Sequence, residues 1–129
     1  MSGPEVLIRA SYEALNRGDV DAAMDALAAD VVWRESAELP GGGELRGREA
    51  VRSFLCEFLE SWEEFEQQVE QVRTAGDRVA VVLRMRGVGR ASGALIETRY
   101  AHAWTLRDGL GVAVDAYRDA DAALEAIEP

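Results

Sequence analysis

The spacing of apolar residues changes partway along the chain, and no other feature limits the fold more. Up to about residue 62 they recur every three or four positions, the period of a helix with one buried stripe. From Val79 onward they alternate with smaller or polar residues, the period of a strand with two unlike faces. Helices followed by a meander of strands define an α+β domain with helices packed on one face of the sheet. The 129 residues suffice for one core and not for two, so residues 1–129 read as a single domain.

From Pro4 to about Arg17, Ile8, Tyr12 and Leu15 form one helical stripe, with Leu7, Ser11 and Ala14 beside it. Gly18 suits the left-handed position after that helix, and Asp19 suits the N-cap of the next. The second helix turns Val20, Met24 and Leu27 inward and is expected to end near Ala29. Val31-Val32-Trp33 lies in a short strand over Asp30 to Glu35. Pro40-Gly41-Gly42-Gly43 is a loop. From Gly47, a wide apolar stripe runs through Val51, Phe54, Leu55, Phe58, Leu59 and Trp62. Glu63 to Thr74 is ambiguous. Its Glu and Gln content extends the helix to about Val72, whereas the strands that follow need a partner and place a strand start near Phe65. Strands over Val79 to Val88, Leu95 to Arg107 and Leu110 to Tyr117 are separated by the small-residue loop Gly89 to Gly93 and the turn Asp108-Gly109. Asp119 or Asp121 caps a last short helix through Ala123, Leu124 and Ile127.

Composition removes several chemistries. All 14 basic residues are Arg, so neither a lysine Schiff base nor a P-loop lysine is possible. One His and one Cys cannot build a Cys/His zinc site, a multi-histidine centre or an intrachain disulfide. The net charge of −10 opposes binding to nucleic acid and to anionic membranes. No apolar run has the length of a membrane span, and Met1-Ser2-Gly3-Pro4 lacks a signal-peptide pattern, so a cytoplasmic protein is expected. No metal or organic cofactor is expected.

A set of short blocks carries a family resemblance. They are Asn16-Arg17-Gly18-Asp19-Val20-Asp21-Ala22-Ala23, Ala28-Ala29-Asp30-Val31-Val32-Trp33 and Leu45-Arg46-Gly47-Arg48-Glu49-Ala50-Val51-Arg52-Ser53-Phe54. Gly76-Asp77-Arg78-Val79-Ala80-Val81, His102-Ala103-Trp104-Thr105-Leu106-Arg107-Asp108-Gly109 and Tyr117-Arg118-Asp119 follow in order. Together they cover nearly the whole chain, which resembles the nuclear transport factor 2-like superfamily and, within it, the SnoaL-like polyketide cyclase and ketosteroid isomerase branch. The resemblance implies a cone-shaped α+β barrel, in which a strongly curved, mostly antiparallel sheet wraps the N-terminal helices around a central pocket. It also implies a homodimer through the outer sheet face. On Leu95 to Arg107, Tyr100, His102, Trp104 and Leu106 fall on one face and Ala101, Ala103 and Thr105 on the other. The large-residue face suits a pocket wall, and the small-residue face suits close approach of a second sheet.

The resemblance also nominates the candidate site. His102 occupies the position before the Asp-Gly turn where ketosteroid isomerases carry a protonated Asp that donates to an oxyanion, the case from which this logic is borrowed. A His there can donate a hydrogen bond or shuttle a proton, while a packed strand histidine is the competing reading. Glu35 falls where those isomerases place their catalytic base; an exposed strand-end carboxylate is the alternative. Asp115 lies on the strand from which certain cyclases and epoxide hydrolases draw a carboxylate. Gly109-Leu110-Gly111 makes its register uncertain by one residue, and such a slip would turn it to the other face. The isomerase oxyanion Tyr maps onto Ser11, with Tyr12 one step away and expected on a different face.

Trp33, Tyr100, Trp104 and Tyr117 can offer a flat ligand a stacking surface, with two or so expected in the pocket, and Tyr12 is a further candidate ligand contact. Arg84 and Arg86 fit an anion clamp or, more simply, a solvated strand face. The acidic run Glu57, Glu60, Glu63, Glu64 and Glu66 reads as a solubilising surface. The expected function is that of a pocket protein for a small, apolar or aromatic molecule. One form of it is a cofactor-free isomerase or cyclase in which Glu35 or Asp115 moves a proton and His102 holds the oxyanion; the other is a non-catalytic ligand-binding or dimerisation module.

Overall fold

The computed structural model describes residues 3–35 and 43–128. The proposed Pro40 to Gly42 part of the glycine loop lies outside them. In chain order the elements are α1 (Gly3–Asn16), α2 (Val20–Ala23), a 3-10 turn (Met24–Ala26), β1 (Leu27–Arg34) and β2 (Glu44–Arg46). Then come α3 (Arg48–Glu60), β3 (Trp62–Ala75), β4 (Arg78–Gly89), β5 (Leu95–Arg107), β6 (Leu110–Tyr117) and α4 (Ala120–Ala126). The strands form one open sheet in the order β2-β1-β6-β5-β4-β3, antiparallel throughout except for the parallel β1–β6 pair.

The turn chemistry explains the element ends. Gly18 adopts φ 77°, and the Asp19 side chain accepts a hydrogen bond from the Ala22 backbone N–H. Asp108 and Gly109 both have positive φ, as a tight hairpin between β5 and β6 requires. The Asp119 carboxylate accepts from Asp121 N–H at 2.9 Å and starts α4.

Three expectations need correction. The second helix stops at Ala23 and gives way to the 3-10 turn and β1, which begins at Leu27 rather than Asp30. Val31, Val32 and Trp33 pair with β6, and the preceding residues are drawn into the same strand. The stretch after α3 is a strand from Trp62, three residues earlier than expected. Pairing with β4 along almost its full length outweighs its helical propensity.

The third correction concerns layers. α1, α2 and α3 pack on the concave face, where Ile8, Leu15, Val51, Phe54, Val81, Leu83 and Trp104 belong to one core. α4 lies on the opposite face. Ala120 and Ala123 cover Val82 and Ala101, and Ile127, just past the helix, covers Ala80 and Ala103. The small side chains expected to receive a second subunit therefore receive the chain's own C-terminal helix. Small residues on the strands let a helix seat closely, and burial of these side chains supplies the driving force.

Candidate functional site

Between the concave face and helices α1 and α3 lies a cavity of about 650 Å³ with a mainly apolar lining. Met24, Leu27, Phe54, Phe58, Phe65 and Met85 supply much of its wall. Strand alternation decides which polar groups enter it. On β5, Tyr100, His102 and Trp104 face inward; on β1, Trp33 pairs with Val114 and shares that face.

At the inner end the polar groups form a connected set. Trp104 Nε1–H donates to the Tyr12 hydroxyl oxygen at 2.9 Å, and Tyr12 Oη lies 2.7 Å from His102 Nδ1. The Tyr12 and Trp33 rings pack on His102 with centroids 5.8 and 5.1 Å away. Trp33 Nε1–H donates to Glu35 Oε2 at 3.1 Å, and Glu35 also lines the cavity. The Tyr100 hydroxyl donates to Gln67 Oε1. The backbone of Gln67 is clamped to the Asn16 side chain by two hydrogen bonds of 2.8 and 2.9 Å.

Burial governs the protonation states. His102 is 5% exposed, and loss of hydration pushes its pKa down to about 3, so the ring is neutral at physiological pH. Desolvation raises the pKa of both tyrosines. For Tyr12 the Trp104 hydrogen bond opposes that rise, and for both the Glu35 carboxylate adds to it.

The structure brings Glu35, His102, Tyr12, Trp33, Tyr100 and Trp104 to one cavity. Tyr12 faces inward with the rest of its stripe and bonds His102, whereas Ser11 donates to the Ala23 carbonyl at 2.8 Å. Tyr117 touches the cavity and also packs against the clusters beneath α4. Asp115 stands apart. It pairs with Ala103 while His102 pairs with Ala116, which puts Asp115 on the outer face, where it accepts from Arg34 Nη1 at 2.9 Å. Arg84 also lies outside, bonded to Glu70 together with Arg99.

Gln67 was not foreseen. It sits inside the acidic, Gln-rich run of ambiguous structure, where the strand alternative, and not the helical one, puts Phe65 and Gln67 on one face. Among the described residues no group of three or more His, Cys, Asp or Glu is placed to hold a metal ion. No helix among them is long and apolar enough to cross a membrane.

Comparisons with known proteins agree with this architecture. No curated protein sequence matches the chain. An NTF2-like protein from Burkholderia thailandensis is 30% identical over 100% of both chains, with a TM-score of 0.80. A putative polyketide cyclase from Xanthomonas campestris is 28% identical over 97% of this chain and 96% of its own, with a TM-score of 0.72. TerC, co-crystallised with polyporic acid, is 24% identical over 99% of this chain and 100% of its own at a TM-score of 0.82, a likeness that shows the fold alone. The family model for the SnoaL-like domain matches residues 8–114, so the chain belongs to the SnoaL-like domain family.

Proposed function

We propose that the protein binds one small, largely apolar, ring-containing molecule in the cavity and moves a proton on it without a cofactor. The carrying observation is an apolar cavity of about 650 Å³ whose wall holds the Glu35 carboxylate and the neutral His102 imidazole. Glu35 removes a proton from a carbon next to a carbonyl, and His102 hydrogen-bonds the oxygen on which the negative charge develops. The Glu35 acid then returns the proton to another carbon, which isomerises the substrate. In a cyclase, the enolate carbon instead attacks a second carbonyl of the same molecule, and the new alkoxide takes the proton. The Trp33 indole, bonded to Glu35, orients the carboxylate.

A non-catalytic binding module is the second reading. It is favoured by Tyr12 and Tyr100, whose hydroxyls are both engaged with protein side chains. Exchange of the α-hydrogens of 2-tetralone in deuterium oxide separates the two. Exchange faster than buffer, lowered about 100-fold or more by Glu35→Gln, supports the enzyme. Binding with exchange no faster than buffer supports the module.

The homodimer expected from the sequence, formed through the outer face, would use the part that α4 leaves open. Arg84, Arg86, Glu97 and Arg99 are exposed there.

A further inference from the structure

The hydrogen bonds at the inner end of the cavity run in one direction. An indole N–H can only donate, so the Tyr12 oxygen accepts from Trp104. One hydrogen then lies between Tyr12 Oη and His102 Nδ1, 2.7 Å apart. Were it carried by Nδ1, the Tyr12 proton would have no acceptor among the described residues, in a side chain only 5% exposed. An unmade buried O–H bond is costly. The proton therefore belongs to Tyr12, Nδ1 accepts it, and the neutral imidazole carries its own hydrogen on Nε2.

Four donors nearest the imidazole on this wall are spent. Ser11 donates to Ala23, Trp33 to Glu35, Tyr100 to Gln67 and Trp104 to Tyr12. Gln67 Nε2 and Trp62 Nε1 lack partners but are enclosed by protein atoms, out of reach of a ligand in this arrangement. His102 Nε2–H makes no hydrogen bond to the described residues, and unlike those two nitrogens it is not an enclosed orphan.

We propose that Tyr12 and Trp104 hold His102 as a single-purpose donor, so that its Nε2–H is the atom presented to the carbonyl or enolate oxygen of the reaction proposed above. The groups around the imidazole fit this role. Tyr12 from α1, Trp33 from β1 and Tyr100 from β5 pack on the ring. Glu35, whose charge is felt by both tyrosines, is the carboxylate on this wall among the described residues. Burial favours the neutral ring, which keeps the donor in place. Tyr12 and Trp104 are positioning residues here, since they act through His102.

The ligand class rests on the pocket reading above, so the test has two independent readouts. Nitrogen NMR of His102 in the ligand-free protein at neutral pH reports the tautomer. A pyridine-type Nδ1 and pyrrole-type Nε2 are expected, and Tyr12→Phe is expected to mix the two tautomers. The opposite tautomer, an imidazolium, or a tautomer unmoved by Tyr12→Phe overturns the positioning role. Calorimetric titration with 2-tetralone and with tetralin, which differ by the carbonyl, reports the ligand class. The ketone is expected to bind roughly tenfold more tightly or better, with the preference lost in His102→Phe. Equal binding of the two overturns the carbonyl contact and with it the proton transfer proposed above, and leaves only binding of a small apolar molecule in the cavity. Failure of both to bind, with the expected tautomer observed, overturns the pocket reading and the ligand class with it.

Discussion

His102 is the only histidine in the chain, and its burial makes stability depend on pH in a defined direction. In the unfolded chain its pKa is near 6.5, whereas in the fold burial lowers it to about 3. Below about pH 6.5 the unfolded state takes up a proton that the folded state refuses. The stabilisation is thus fully present above that value and is lost as pH falls toward 3. Urea unfolding of the wild type is expected to lose about 2 kcal/mol between about pH 7 and pH 5. In that window His102→Phe should be nearly flat. Asp21, Asp30 and Glu70, held low by bonds to Arg52, Arg107 and Arg99 respectively, release their contributions only at more acidic pH. A flat wild-type profile would mean that the ring is solvated and would remove the basis of the candidate site. The position of His102 before the Asp-Gly turn was legible in the sequence. Its hydrogen bond to Tyr12 was not, because a helical wheel puts Tyr12 on the buried stripe without fixing which strand residue it meets.

At the scale of elements, close approach to backbone sets the tryptophans. A Cβ on Gly111 would lie 2.7 Å from Trp104 Cε3 and 3.3 Å from Leu27 Cδ2. Trp104 is nearly fully buried and bonded to Tyr12, so its ring cannot retreat without losing that bond. Gly111→Ala is therefore expected to cost about 1–3 kcal/mol and to lower Tm by several degrees in a thermal melt. An unchanged Tm would show that the ring has room to move. Gly87 seats Trp62 in the same way, with a Cβ 2.7 Å from its ring. Here the sequence was legible only in part. The ends of β5 and β6 followed from their turns, since Asp-Gly and Gly-rich dipeptides impose local backbone angles. The start of β3 and the second helix depended on partners distant in sequence, and local propensity could not foresee them. Asp115 shows the sharpest consequence of this: pairing with Ala103 puts its carboxylate outside, a one-residue matter that strand alternation alone leaves open.

For the whole molecule, the charge of −10 is spread over solvated pairs and acidic runs, and Glu57, Glu60, Glu63, Glu64 and Glu66 are all exposed. Exposed ion pairs such as Arg99–Glu70 and Arg107–Asp30 are screened by water and contribute little individually. With α4 over the small-residue face, what the outer face leaves to the homodimer expected from the sequence is the charged strand surface beside it. Sedimentation is expected to give a dimer at low salt that weakens as salt is raised. A 14.1 kDa species at low salt and micromolar concentration would overturn the dimer, and a salt-indifferent dimer would place the contact on apolar surface.

By itself the sequence determined the α+β class, the order of elements and the buried stripes, because periodicity and turn chemistry act over a few residues. It also determined the absence of lysine chemistry. Tertiary structure alone decided that Tyr12, His102 and Trp104 form one hydrogen-bonded chain, that Gln67 joins the cavity and that Asp115 leaves it. It also decided that α4 covers the alanine part of the outer face. Each of these depends on register and packing between segments far apart in the chain, where a shift of one residue or a change of face reverses the outcome.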